Sequence, residues 1–485
     1  MTFAFRPSDW FLLSPELFLT AAGLLVLGLA PAFGKAKEEF LAYLSILLVV
    51  ATSAILAFVA AAPARQAGPI LGGMFVVDNF ALFFQFLILL SIVLTILASM
   101  RFVGSAPYAG GEYYALLLFT GVGMLFMVAG DNLISIYVAL ETMALASYVL
   151  AGYFKGETKS TEAALKYFIL GAFSSGVLLY GLSLIYGVAG QLGLPELARL
   201  LAGAERTNLL VLGILLLLAG LLFKIAAVPF HFWTPDVYEG APTPVTAFFS
   251  VGPKLAAYAV LARVFYVAFP RFHADWGLIV ALVSAATMIW GNVAALMQTN
   301  VKRMLAYSSI SHAGYALLGV LGFRTAFGLW GILVYLLAYT FMNFGAFALV
   351  IFLETKGYAA ETVSDFNGLA RRNMLAAVVM LVFLLSLAGI PPTAGFIGKY
   401  YLFTAALKAG YPWLVVLGLL ASAVSLFYYF RIAAAMFFSD AAGARFRTSD
   451  ALTAVVVICA AGTLLVGFAP EFVLQVLRAC VPGKY

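Results

Sequence analysis

The chain has 485 residues, 64% of them hydrophobic and 10% charged, with a mean hydropathy of +1.06. Soluble domains carry about 25% charged residues, so a water-soluble fold is excluded; the net charge of +6 comes without the basic clusters and interleaved aromatics that nucleic acid would need. Two cysteines (Cys459, Cys480) and three histidines (His231, His273, His312) have no metal-ligand spacing, which argues against haem, iron–sulfur or other metal binding in this chain.

Apolar residues fall in runs of roughly 18–25, long enough as helix to cross about 30 Å of hydrocarbon. The alternation of a β-barrel is absent. The expected fold is therefore an all-α polytopic membrane protein. Asp9 and Glu16 ahead of the first run fit a signal peptide poorly, so residues 17–34 read as a retained helix. A window reading gives about 14 transmembrane helices. They lie near 15–33, 40–62, 76–100, 113–129, 132–154, 162–189, 208–238, 244–269, 274–297, 301–322, 326–353, 373–408, 412–438 and 450–478. Odd-numbered loops hold most of the Lys and Arg, among them Lys35, Lys37, Lys155, Lys302, Arg303, Arg371 and Arg372. That bias places those loops in the cytoplasm and both termini outside.

Helices seven and twelve are too long and are interrupted. The first break contains Pro229 and Pro235; the second contains Gly389, Pro391, Pro392 and Gly395. Proline inside a helix removes a hydrogen bond and clashes with the preceding turn. Broken helices in corresponding positions of two halves point to inverted repeats. Ser147–Gly152 falls on Gly314–Gly319, and Arg263 on Arg431, at nearly one offset. A repeat with an odd number of helices must give copies of opposite topology. The division is then 1–112 (three N-terminal helices), 113–270 (first five-helix repeat), 271–440 (second, inverted repeat) and 441–485 (C-terminal helix). Chance similarity between apolar helices is the alternative.

Glu141, Lys224, Lys254 and Lys399 lie deep in these apolar spans. A charge at that depth costs roughly 3 kcal/mol on insertion scales, so such groups are expected to move charge. Burial and neighbouring charge push a carboxyl or lysine in opposite directions, and a group balanced between them can exchange a proton. Lys166, beside Glu162, reads either as a snorkelling lysine or as the partner of Glu141. His312, flanked by Ser309 and Ser311, reads either as a proton relay or as a satisfied structural histidine. His231, at the first break, reads as structural, and Arg263 and Arg431 as anchors.

The run Phe223–Pro242, with Pro229-Phe230-His231-Phe232-Trp233-Thr234-Pro235-Asp236-Val237-Tyr238 at its centre, is unusual. With Glu162–Tyr167, Leu305–Tyr315 and Leu385–Lys399 it resembles the antiporter-like subunits of proton-pumping NADH:quinone oxidoreductase, respiratory complex I, and within them the subunit N branch. The resemblance covers nearly the whole chain. It implies a non-redox translocase subunit of the bacterial inner membrane. Protons would pass along Glu141, Lys224, Lys254, His312 and Lys399, with Glu141 and Lys224 as a switchable pair. It implies no cofactor in this chain, with NADH, FMN, iron–sulfur clusters and quinone handled elsewhere in the parent complex. The implied neighbours are other membrane-arm subunits, of the M and K types, and the lipid bilayer. A subunit of a multisubunit sodium/proton antiporter, or of a related ferredoxin-driven complex, is the alternative.

Overall fold

The computed structural model describes residues 6–33, 38–104, 110–203, 205–354, 361–440, 449–478 and 480. Lys35 and Lys37 lie outside the described residues. In chain order the helices are α1 (Pro7–Leu12), α2 (Ser14–Phe33), α3 (Glu38–Ala61), α4 (Asn79–Gly104), α5 (Gly111–Ala129), α6 (Leu133–Ala151), α7 (Thr158–Ala189) and α8 (Leu194–Gly203). They continue with α9 (Asn208–Lys224), α10 (Trp233–Gly240), α11 (Thr243–Val267), α12 (His273–Leu296), α13 (Val301–Leu321) and α14 (Ala326–Leu353). The last are α15 (Leu369–Arg372), α16 (Met374–Ala388), α17 (Ala394–Lys408), α18 (Pro412–Phe438), α19 (Asp450–Phe468) and α20 (Pro470–Arg478). Twelve helices among the described residues are long and apolar enough to cross a membrane; Asn208–Lys224 and Met374–Ala388 are apolar but shorter.

Side chains at the helix starts supply acceptors for otherwise orphaned N–H groups. Asn132 caps α6, Thr207 caps α9, Asn300 caps α13 and Asn373 caps α16.

The chain forms two compact units. The first comprises the described residues up to Ile225, Gly252–Leu278 and Cys480; the second comprises Ala226–Val251 and the described residues from Ile279 to Arg478. In the first, α5 packs on α6 and α2, and α7 packs on α9. Hydrophobicity alone does not join helices in lipid, so close backbone approach has to supply contact. At Gly181 of α7 an added Cβ would lie 2.7 Å from Leu217 N of α9, so only glycine admits this spacing. In the second unit α14 packs on α17, α19 and α13, and α16 on α18.

Both expected interruptions are present. α9 stops at Lys224, and helix resumes at Trp233. Between them Ala226 takes a left-handed φ of 61°, and Val228 N–H is satisfied by Thr287 Oγ1 at 2.9 Å. α16 ends at Gly389, whose φ of 85° caps it in the left-handed conformation that glycine tolerates. Two further features differ from the sequence reading. The last expected span is divided at Pro470, which opens α20 because proline carries no N–H to continue α19. The connection after α7 holds α8, whose Leu194, Leu197 and Leu201 are buried along one face.

Candidate functional site

The first unit gathers Glu141, Lys166, Lys224 and Lys254. Glu141 stands midway along α6 and is half-buried. Its Oε1 accepts a short hydrogen bond from the Ser175 hydroxyl of α7. Lys224 is the last residue of α9, where the helix C-terminus favours a cation. It is 4% exposed, and its Nζ has no hydrogen-bond partner among the described residues. The ammonium instead lies 5.9 Å from the Tyr148 ring and 5.7 Å from that of Phe223. Glu141 and Lys224 are within Coulombic reach of one another, but no ion pair joins them among the described residues. An enclosed ammonium without a hydrogen-bond partner needs water or a carboxylate to settle it, and Glu141 is the carboxylate whose charge reaches it.

Tyr148 completes this arrangement. It lies two turns after Glu141 on the same helix, its hydroxyl is buried without a partner among the described residues, and it feels the Glu141 charge. Gly171 of α7 makes room for it: a Cβ there would sit 2.0 Å from the Tyr148 hydroxyl. Lys254 is 2% exposed in α11, one residue after Pro253. Lys166 makes an ion pair with Glu162 at 2.6 Å, and both side chains are largely exposed, at 41% and 57%.

The second unit gathers His312 and Lys399. His312 is 3% exposed in α13. Its Nδ1 is 2.6 Å from the Tyr335 hydroxyl and its Nε2 is 3.2 Å from the Tyr429 hydroxyl, which is itself 2.5 Å from Ser308 Oγ. Each of these hydroxyls both donates and accepts, so a proton can shift along Ser308, Tyr429, His312 and Tyr335 without a charged group leaving its place. Lys399 of α17 is 4% exposed, and its Nζ donates to Leu387 O (3.1 Å), Ala388 O (2.9 Å) and Ser422 Oγ (2.7 Å). The two carbonyls come from the last turn of α16, where a helix end leaves carbonyls without intrahelical donors. The break therefore makes the lysine's binding site. The ammonium also stands 4.7 Å from the Tyr315 ring, which is in turn beside His312.

His231 packs against Phe232 and Trp290 in the first break. Arg431 donates to Leu296 O at 3.2 Å and to Gln298 O.

Residues 130–425, which hold Glu141, Lys166, Lys224, Lys254, His312 and Lys399, match the family described as NADH:quinone oxidoreductase/Mrp antiporter, transmembrane. The chain belongs to that family. A relative from Trichlorobacter lovleyi named NADH-quinone oxidoreductase subunit N is 45% identical, covering 96% of each chain. A relative of the same name from Rhodospirillum rubrum is 43% identical over 96% of this chain and 95% of its own. Among solved structures, a chain of respiratory complex I from Thermus thermophilus with bound aureothin superposes with a TM-score of 0.80 at 34% identity, over 95% of this chain and 98% of that one. A chain of the Mrp complex from Dietzia sp. shares the fold, with a TM-score of 0.84 at 23% identity over 98% and 97% of the two chains. The resemblance read from the motifs, to the subunit N branch, is borne out.

For this antiporter-family chain the sequence identified the lysines, glutamate and histidine but not the hydroxyls around them. Ser175, Tyr148, Tyr335, Tyr429 and Ser422 each reach the site from another helix or another turn. Tyr148 had a local signal, its two-turn spacing from Glu141. The others depend on which helices pack together.

Proposed function

We propose that this chain is a proton-translocating membrane-arm subunit of a NADH:quinone oxidoreductase. In this reading Glu141, Lys224 and Lys254 hold and pass protons in the first unit, and His312 and Lys399 do so in the second. The observation that carries the reading is the set of enclosed lysines, above all Lys224, whose Nζ has Glu141 within Coulombic reach and no hydrogen bond among the described residues. A permanent structural cation at the position of Lys224 would be expected to have a fixed carboxylate partner. Redox groups (NADH, FMN, iron–sulfur clusters and quinone) act in the parent complex, and this chain contributes charge movement and no redox step. M-type and K-type subunits are its proposed neighbours, the bacterial inner membrane its location, and both termini lie outside it. Lys166 belongs to the path only if its pair with Glu162 opens.

The test uses the assembled complex. Glu141→Ala and Lys224→Ala are each expected to lower protons moved per quinone reduced severalfold while assembly persists. Normal stoichiometry in both variants would remove the pair from the mechanism. The shared fold of the Mrp complex keeps sodium/proton exchange as the second reading; proton movement that depends on sodium as the counter-transported ion would select it.

A further inference from the structure

Where α6 begins and α11 ends, the first unit holds a second charged cluster. Arg263, near the end of α11, makes two hydrogen bonds of 2.8 Å each with the carboxylate of Asp78, which immediately precedes α4. Arg263 also stands over the Phe80 ring at 5.2 Å. Asp131, just before α6, is 5% exposed. Its backbone is fixed, because its N–H donates to Met74 O at 2.9 Å and its carbonyl accepts from Leu194 N at 2.9 Å. Its carboxylate makes no hydrogen bond or ion pair among the described residues. The charged groups facing it are Arg263 from α11, Asp78 ahead of α4 and Glu196 from α8.

We propose that Asp131 is a proton-exchange carboxyl, a port through which the buried groups of the first unit reach water, with the Asp78–Arg263 bridge setting its charge. The inference rests on the functional reading above. Asp131 takes a proton on a carboxylate oxygen and returns it from the same oxygen, so charge and atoms balance with water as donor and acceptor. Two helices lead inward from the cluster. Glu141 lies about 15 Å along the chain from Asp131, and Lys254 about 14 Å back along α11 from Arg263, at 1.5 Å per residue. Hydrogen-bonded water must cover that distance. Burial pushes the Asp131 carboxyl up, Arg263 opposes this, and Asp78 and Glu196 reinforce it, leaving it at about 6. It therefore changes charge in the range where a proton port has to work. At Asp78 burial also acts against ionisation, yet the charge and hydrogen bonds of Arg263 prevail and hold that carboxyl below its ordinary range. The bridge thus stays charged while Asp131 titrates.

The experiment follows protons moved per quinone reduced against pH in the whole complex, in sealed vesicles. Asp131→Asn is expected to lower translocation severalfold and to abolish the inflection near pH 6. Asp131→Glu keeps a carboxyl and should restore most of the loss. Asp78→Asn removes a negative neighbour while Arg263 remains, so the inflection should move to lower pH. A merely structural role for Asp78 would not shift it. An assembled Asp131→Asn complex with the wild-type profile overturns the proposal. So does an unshifted inflection in Asp78→Asn, which decides the matter if Asp131→Asn does not assemble. Normal pumping in Lys224→Ala would overturn the functional reading itself. Lost pumping there, with an unaltered Asp131→Asn profile, would remove the port alone.

Discussion

At the scale of single residues, Lys399 separates charge balance from proton exchange. All three of its ammonium donors are used, two on the end of α16 and one on Ser422. Arginine would keep the charge but cannot release a proton in the physiological range. Lys399→Arg and Lys399→Ala are therefore both expected to impair proton translocation in assembled complex. Near-normal translocation by Lys399→Arg would leave Lys399 only an electrostatic role. Packing sharpens the test, because a Cβ on Gly389 would already lie 2.9 Å from Lys399 Cδ, and the broader guanidinium has little room. Lys399→Gln, one atom shorter and uncharged, fits the same space and reports the loss of the charge without the added bulk.

At the scale of elements, the second break is held by contacts that leave no slack. Gly395 N donates to Ser386 Oγ at 3.0 Å, and a Cβ at Gly395 would lie 1.7 Å from Ser386 O. Gly395→Ala must therefore push α16 and α17 apart. Overpacking of this kind costs about 1–3 kcal/mol, and here it also moves the carbonyls that hold Lys399. The expected result is a lower unfolding temperature of the purified complex together with reduced pumping; unchanged values of both would mean that the break relaxes freely. The breaks themselves were legible in the sequence, because Pro229 and the Gly389–Pro392 run announce local backbone chemistry. So were the charged residues, because a lone lysine such as Lys254 is conspicuous in an apolar run. The hydroxyl partners were not legible. Tyr335 and Tyr429 come to His312 from α14 and α18, and neither neighbour can be inferred from spacing along one helix. The split at Pro470 had a signal in the proline itself, but the apolar run on either side masked it.

At the scale of the whole molecule, the outer faces of α6 and α7 remain apolar and uncovered. Val138, Leu145 and Val149 of α6 are more than half exposed, and so are Leu165, Ile169 and Phe173 of α7. Half-buried Glu141 opens on this side, so the medium around its carboxyl is set by whatever adjoins the chain, whether acyl chains or another helix. This has a chemical consequence. Hydrophobic carbodiimides dissolve in acyl chains and add covalently to carboxylic acids they meet there. The chain reconstituted alone should be modified at Glu141, as read by mass spectrometry of the peptide carrying it, and the assembled complex should be protected. Equal labelling in both preparations would place that carboxyl against lipid in the complex as well. Selective protection would instead make Glu141 a reporter of assembly, in which the reactivity of one acid measures how completely the membrane arm has closed around it.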